Sequence, residues 1–241
     1  MSQRIHLLLL AAGSGQRFAA GMKSLTIPKQ YVSIAGQTVL EHSLAAFQNL
    51  PLASAVITHS ADDTIIKRLN LAAPFGLTLT VGGLSRAESV RLGLQALQQA
   101  GADEADWALV HDAARCCVLE KDIQALIDVC VSKNRGGLLV NTIHDTLKFS
   151  RDGFQVDKTI CRDQMFAALT PQMFPLGDLL AALLEADEQG TTITDESSAM
   201  EAMGEQPLMV EGDAGNIKLT RAEQLPQVES FLSNKMTKGD D

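Results

Sequence analysis

The 241-residue chain sets 20 lysines and arginines against 29 aspartates and glutamates, a formal net charge of −9, which excludes a general nucleic-acid-binding or anionic-membrane surface. Hydrophobic residues make up 46% of it, enough to bury a full core, so one domain over residues 1–241 is expected. The cysteines at 116, 117, 130 and 161 show no metal-ligand spacing, no apolar run reaches the ~20 residues that span a bilayer, and Met1 to His6 has no secretory pattern; together these point to a cytoplasmic setting and a small-molecule partner.

The first apolar run, Ile5–Leu10, reads as a buried strand that delivers Ala11-Ala12-Gly13-Ser14-Gly15-Gln16-Arg17 to its carboxyl end, where open α/β sheets bind ligands. Gly13 and Gly15 allow close backbone approach, and Arg17 and Lys29 add positive charge, so the stretch outlines a phosphate site. It is neither a P-loop, which ends Gly-Lys-Ser/Thr, nor the dinucleotide fingerprint, because Phe18 follows Gly15 where a third glycine is required. A helix is expected from about Thr38 to Asn49, a strand at Ala55–His59, a helix after Asp62 and a strand at Leu77–Val81. Ser85-Arg86-Ala87-Glu88 has the form of a capping box opening a helix that Gly101 ends. Trp107–His111 and Gly137–Val140 are further strands around a helix from Asp122 to Val131, a rhythm that predicts a mostly parallel sheet of about five strands.

Between Asn141 and Thr159 the pattern changes. Leu147–Ser150 and Phe154–Val156 alternate around Arg151-Asp152-Gly153, which predicts a β-hairpin arm at about 142–160. A lone hairpin is marginal, so a second subunit is expected to cover it. A helix at Leu176–Glu188 follows, then a turn at Thr191–Glu196, a short helix to Met203, and strands at Leu208–Val210 and Asn216–Leu219. Thr220-Arg221-Ala222-Glu223 resembles a second capping box, although Pro226 requires an irregular first turn or a restart. Met236 onward reads as a frayed tail.

Polar residues gather just past the strands: Gly82-Gly83-Leu84-Ser85-Arg86 and Ser89, then His111-Asp112-Ala113-Ala114-Arg115, then His144-Asp145-Thr146. Arg17, Lys29, Arg86, Arg115 and Lys218 all fall near strand or helix starts. A cation is the wrong charge for a helix N-terminus, and a bound anion would repair the mismatch.

The ordered blocks A-A-G-S-G-Q-R, P-K-Q-Y, T-V-L-E-H-S, G-G-x-S-R-A-E-S-V, V-H-D-A-A-R, D-T-x-K, L-T-P-Q, T-I-T-D-E-S-S-A and N-I-K-L-T resemble the 2-C-methyl-D-erythritol 4-phosphate cytidylyltransferase family. The resemblance implies an α/β, Rossmann-like nucleotidyltransferase fold, a mostly parallel central sheet with helices on both faces and a protruding arm. It further implies a homodimer joined through that arm. The reaction it implies is cytidylyl transfer from CTP to 2-C-methyl-D-erythritol 4-phosphate with release of pyrophosphate, aided by a divalent cation such as Mg2+.

By the same resemblance Arg17 and Lys29 stabilise the charged transition state. Ala11, Ala12, Gly13, Gly83 and Ser89 bind the nucleotide. Asp112 and Arg115 lie near phosphates and ribose, with Asp112 as metal ligand. Lys218 and Arg162 position the acceptor phosphate, Arg162 reaching in from the neighbouring subunit, and Thr146 and Thr170 are further acceptor contacts. Thr194 and Asp195 match without an assigned role. The chain departs from the pattern at Leu10 and Cys116, where proline is usual, at Leu84, usually acidic, and in a long spacer between Arg17 and Lys29. That spacer makes Lys23 a rival to Lys29, and the loop is expected to order over CTP. Other readings stay open: a cytidylyltransferase for another polyol phosphate such as ribitol 5-phosphate, a nicotinamide-dependent oxidoreductase, or a nucleotide-binding protein without turnover.

Overall fold

Leu7 and Leu9 face one side of the first strand and Leu8 the other, and all three are fully buried. Such a strand must be central in a sheet covered on both faces. The computed structural model, which describes residues 3–13, 15, 18 and 27–238, places it so. The strands in chain order are β1 (Ile5–Leu10), β2 (Ser33–Ile34), β3 (Gln37–Thr38), β4 (Ser54–His59), β5 (Gly76–Val81), β6 (Trp107–Asp112), β7 (Gly137–Thr142), β8 (Leu147–Phe149), β9 (Lys158–Ile160), β10 (Phe166–Pro175) and β11 (Leu208–Glu211). Seven of them form one sheet in the order β11-β7-β10-β6-β1-β4-β5. Every neighbouring pair in it is parallel except those of β10, which runs antiparallel between β6 and β7.

The helices are α1 (Val39–Ala45), α2 (Arg86–Gln99), α3 (Glu120–Lys133), α4 (Leu176–Glu188), α5 (Glu196–Ala202) and α6 (Leu225–Lys238). Helices α1 and α3 cover one face, where Leu40, Ile123 and Leu126 pack with Leu7, Leu9, Trp107 and Leu109. Helices α2, α4 and α5 cover the other, where Val90, Leu94, Leu179 and Met200 pack with Leu8, Ala108 and Val110. Each buried leucine contributes roughly 1.5–3 kcal/mol, so the alternation along β1 and β6 holds both layers at once. Among the described residues no helix is long and apolar enough to cross a membrane.

Several expectations shift. The helix expected to Asn49 ends at Ala45 and continues as turns. The helix expected after Asp62 is only a 3-10 turn, Ile66–Arg68, led in by Asp63, whose carboxylate accepts from the amides of Ile65 (2.9 Å) and Ile66 (3.1 Å). Asn216–Leu219 is not a strand; its polar groups are taken singly, Leu219 N–H donating to the Ala114 carbonyl (2.8 Å) and Asn216 Nδ2 to that of Thr170 (2.9 Å). The irregular turn ahead of Pro226 takes the form of a 3-10 turn, Ala222–Gln224, which runs into α6. Helix α6 continues through Lys238, past the expected start of the tail.

The hairpin forms with a different return strand. β8 pairs antiparallel with β9, Leu147 opposite Ile160 and Phe149 opposite Lys158, so Phe154–Val156 belongs to the connecting loop. The Asp152 carboxylate takes the amides of Phe154 (2.8 Å) and Gln155 (2.9 Å), the donors that strand pairing would have needed. Arg151 closes the loop on Asp157. Phe154 is left 96% exposed at its tip.

Candidate active site

The carboxyl ends of β1, β5 and β6 border a cleft of about 570 Å³, whose walls include Ala11 to Gly13, Gly15, Lys29, Gly83, Ser89, Asp112 and Lys218. Gly15 holds a positive φ of +65°, and a Cβ there would press to 3.4 Å from the Lys29 amide nitrogen, so the turn and Lys29 lie against each other. Lys29 is anchored at its tip: Nζ donates to the Leu219 carbonyl at 2.9 Å. Its neighbours fix its backbone, Gln30 Nε2 donating to the Ala11 carbonyl (2.8 Å) and the Tyr31 hydroxyl to the Asp63 carboxylate. Arg17, Lys23 and most of the spacer lie outside the described residues, as does the expected ordering of that loop.

On the opposite wall the loop after β5 is tied to the first turn of α2. Ser89 Oγ accepts from the Gly83 amide (3.0 Å) and donates to the Ser85 carbonyl (2.9 Å). The expected capping box is half formed: Ser85 Oγ accepts from the Glu88 amide (3.0 Å), but the Glu88 carboxylate turns to the Leu84 amide (2.7 Å). A Cβ on Gly83 would lie 2.2 Å from Glu88 Cγ, so only glycine lets that carboxylate reach back across the loop.

Asp112, the last residue of β6, is the electrostatic centre. Lys218 Nζ donates to its Oδ2 at 2.6 Å and Arg86 Nε to its Oδ1 at 3.2 Å. Burial alone would raise the Asp112 carboxyl; the charges of Arg86 and then Lys218 outweigh it and hold the group well below the ordinary range. Arg86 is gripped from behind by Glu196, NH1 to Oε1 at 2.6 Å and NH2 to Oε2 at 3.0 Å. Glu196 opens α5, and Gln172 of β10 locates that helix by donating to Asp195 (2.9 Å) and accepting from the Ser197 amide (2.8 Å). Asp195 has a structural duty as the N-cap of α5.

The floor below Asp112 is a closed chain of hydrogen bonds. Burial pushes the His111 imidazole down to about 4, so it is neutral. Its Nε2 faces the Arg115 carbonyl at 3.2 Å, which can only accept, so Nε2 carries the proton. Nδ1 therefore accepts from the Thr170 hydroxyl (3.0 Å), whose oxygen accepts in turn from the Asp112 amide (3.1 Å). Thr170, expected to touch the acceptor, is thus buried under the site with its hydroxyl committed. Arg115 is likewise turned from the cleft: NH1 donates to the Asn216 carbonyl at 2.7 Å, which seats the segment carrying Lys218. Thr146 and Arg162 are exposed near the arm and do not line the cleft within one chain.

The arrangement can therefore hold a polyanion: a glycine turn, two lysines and an arginine face one space whose cleft-facing carboxylate is already neutralised. Sequence reasoning flagged Arg86 only as a cation at a helix start and missed Glu196 and Gln172. The available signal was electrostatic, since an arginine at the first position of α2 opposes the helix dipole and requires a carboxylate nearby.

A profile of the 2-C-methyl-D-erythritol 4-phosphate cytidylyltransferase family matches residues 5–234. The chain is 43% identical over 226 residues to the enzyme of that name from Ectopseudomonas mendocina, covering 93% of this chain and 94% of that one. To its counterpart from Vibrio vulnificus strain CMCP6 it is 42% identical over 228 residues, 93% of each. Among solved structures, a 4-diphosphocytidyl-2C-methyl-D-erythritol synthase superposes with a TM-score of 0.81 at 36% identity, covering 96% of this chain and all 100% of that one. The Francisella tularensis 2-C-methyl-D-erythritol 4-phosphate cytidylyltransferase superposes with a TM-score of 0.80 at 28% identity, covering 95% and 100%.

Proposed function

The chain belongs to the 2-C-methyl-D-erythritol 4-phosphate cytidylyltransferase family, and from that premise we propose that it joins CTP and 2-C-methyl-D-erythritol 4-phosphate into 4-diphosphocytidyl-2-C-methyl-D-erythritol in the cytoplasm. An oxygen of the acceptor phosphate attacks the α-phosphorus of CTP. The new P–O bond forms as the bond to the bridging oxygen breaks, and pyrophosphate leaves with that electron pair. The observation that carries this reading is the gathering of Lys29, Arg86 and Lys218 around one cleft opened by a glycine turn.

The reaction brings two anions together, so the protein must offset repulsion and hold the attack in line more than supply a base. The acceptor phosphate, with a second pKa of about 6, is already ionised near neutrality. Lys29, with Arg17, takes the charge developing on the α-phosphate. Lys218 exchanges its bond to Asp112 for one to the acceptor phosphate. The turn Ala11 to Gly13 and the Gly83 loop receive the nucleotide, with Ser89 holding that loop in place by accepting from the Gly83 amide.

Among the described residues no three His, Cys, Asp or Glu side chains gather as a metal cage. Mg2+ fits that sparse donor set, because it keeps waters and takes its other ligands from phosphates. Each Asp112 oxygen has a further lone pair beyond the one given to Arg86 or Lys218, so Asp112 would hold the cation, which when bound neutralises triphosphate charge. Thr146 and Arg162 serve the acceptor from a partner's arm in a homodimer; exposed Phe149, Phe154 and Val156 give that arm an apolar surface to cover.

Pyrophosphate release from CTP with Mg2+ tests the reading, with 2-C-methyl-D-erythritol 4-phosphate and ribitol 5-phosphate as rival acceptors. Release with the former and its loss in Lys29→Ala is the expected result. Faster transfer to ribitol 5-phosphate, or none to either, would overturn it.

A further inference from the structure

Glu196 touches none of the space in which the reaction is placed, yet its side chain is only 1% exposed and both its oxygens are spent on one arginine. A buried carboxylate with a single ionic partner is costly to keep, and a well-packed apolar pair would often serve stability as well. Its effect on the cleft is therefore the better account of its presence. Glu196, Arg86, Asp112 and Lys218 form a row of alternating charge, from α5 through the start of α2 and the end of β6 to the segment before Leu219. Asp112 has two oxygens and two suitors. Because the flat end of the Arg86 guanidinium is committed to Glu196, only Nε reaches Asp112, at Oδ1, and Oδ2 is left to Lys218.

We propose that Glu196 is a positioning residue: it holds the Arg86 fork away from Asp112, so that Lys218 keeps one exchangeable carboxylate contact and its ammonium stays aimed at the acceptor phosphate. Without that charge the guanidinium swings onto Asp112 as a two-pronged pair, the geometry Arg and carboxylate prefer, and Lys218 is displaced. Glu196 acts through Arg86 alone. The inference rests on the acceptor role given to Lys218 above.

Steady-state kinetics of the full chain with CTP and 2-C-methyl-D-erythritol 4-phosphate test it. Glu196→Gln should raise KM for the acceptor by at least about tenfold, the lower end of what loss of an orienting partner costs at metal sites, with KM for CTP and kcat changed much less. Glu196→Asp, which keeps the charge, should recover part of the loss and guards against misfolding of the glutamine variant. In an Arg86→Gln background the Glu196→Gln change should add nothing, whereas a purely structural role would persist there. An acceptor KM within twofold of wild type in Glu196→Gln, or full additivity with Arg86→Gln, overturns the proposal. If wild-type protein releases no pyrophosphate, the functional reading fails instead. The positioning claim is then decided by amine labelling of Lys218, which should quicken in Glu196→Gln and, if unchanged, refutes it.

Discussion

Strand β6 has an aspartate at each end, and the two have opposite fates. Asp106, just before the strand, receives the Arg4 amide (2.8 Å), Arg4 Nε (3.1 Å) and NH2 (2.8 Å), the Asp103 amide (2.9 Å) and the His6 ring (3.0 Å). Burial alone would raise its carboxyl; the Arg4 and Asp103 amides, then His6 and the Arg4 side chain, hold it down at about 2. Four of these contacts crowd onto Oδ2 and the Arg4 amide takes Oδ1, and Asp106 does not line the cleft. Asp112 receives one contact per oxygen from side chains and borders the cleft beside the glycine turn. A buried carboxylate becomes part of a site when a cation on it borders a cleft and can be traded for a ligand, and a clamp when its partners lie away from any cleft.

Substitutions at the two ends of β6 should separate loss of turnover from loss of stability. Lys218→Ala and Lys29→Ala should each lower the rate of cytidylyl transfer by about 10²–10³, the scale of losing one charge-stabilising donor, while thermal unfolding moves little. A large fall in melting temperature with unchanged turnover would instead make the Asp112 end a second clamp. Asp106→Ala should cost about 1.5–3 kcal/mol, because it strips the Arg4 and Asp103 amides and His6 Nε2 of a charged acceptor while the half-exposed Arg4 guanidinium keeps Asp103; urea denaturation measures this, and turnover per folded molecule should stay as in wild type.

The Asp106 carboxyl falls from its ordinary 3.8 to about 2 in the folded chain, so its contribution is complete above about pH 4 and is lost as pH drops through 2. Urea midpoints between pH 4 and 2 should fall less steeply in Asp106→Asn than in wild type, and parallel curves would refute the clamp. Ser54→Ala removes only the hydroxyl that meets His6 Nδ1 at 2.8 Å and should cost about 1 kcal/mol with no kinetic change.

Much of this was legible in the chain. The apolar run Ile5–Leu10 foretold a buried strand, and the glycine turn after it marked the cleft. The hairpin was legible as an arm but its pairing was not, because Asp152 claims the amides of Phe154 and Gln155 through a local side-chain contact that competes with strand pairing. Asn216–Leu219 looked like a strand by composition alone. It pairs with no strand and is held instead by Ala114, Arg115 and Thr170. Thr170 stood in a recognisable block, yet its hydroxyl is turned under the floor by His111.

Periodicity, turn chemistry and the order of strands and helices belong to the sequence by itself, because each depends on residues a few places apart: apolar faces must be covered and glycine must supply what other backbones cannot. The row of charges belongs to tertiary structure. Arg86 lies 110 residues from Glu196, and Lys218 lies 106 from Asp112. Only the packing of β10, α5 and the final irregular segment around the end of β6 brings them within hydrogen-bond reach, and no local pattern encodes which carboxylate each cation will choose.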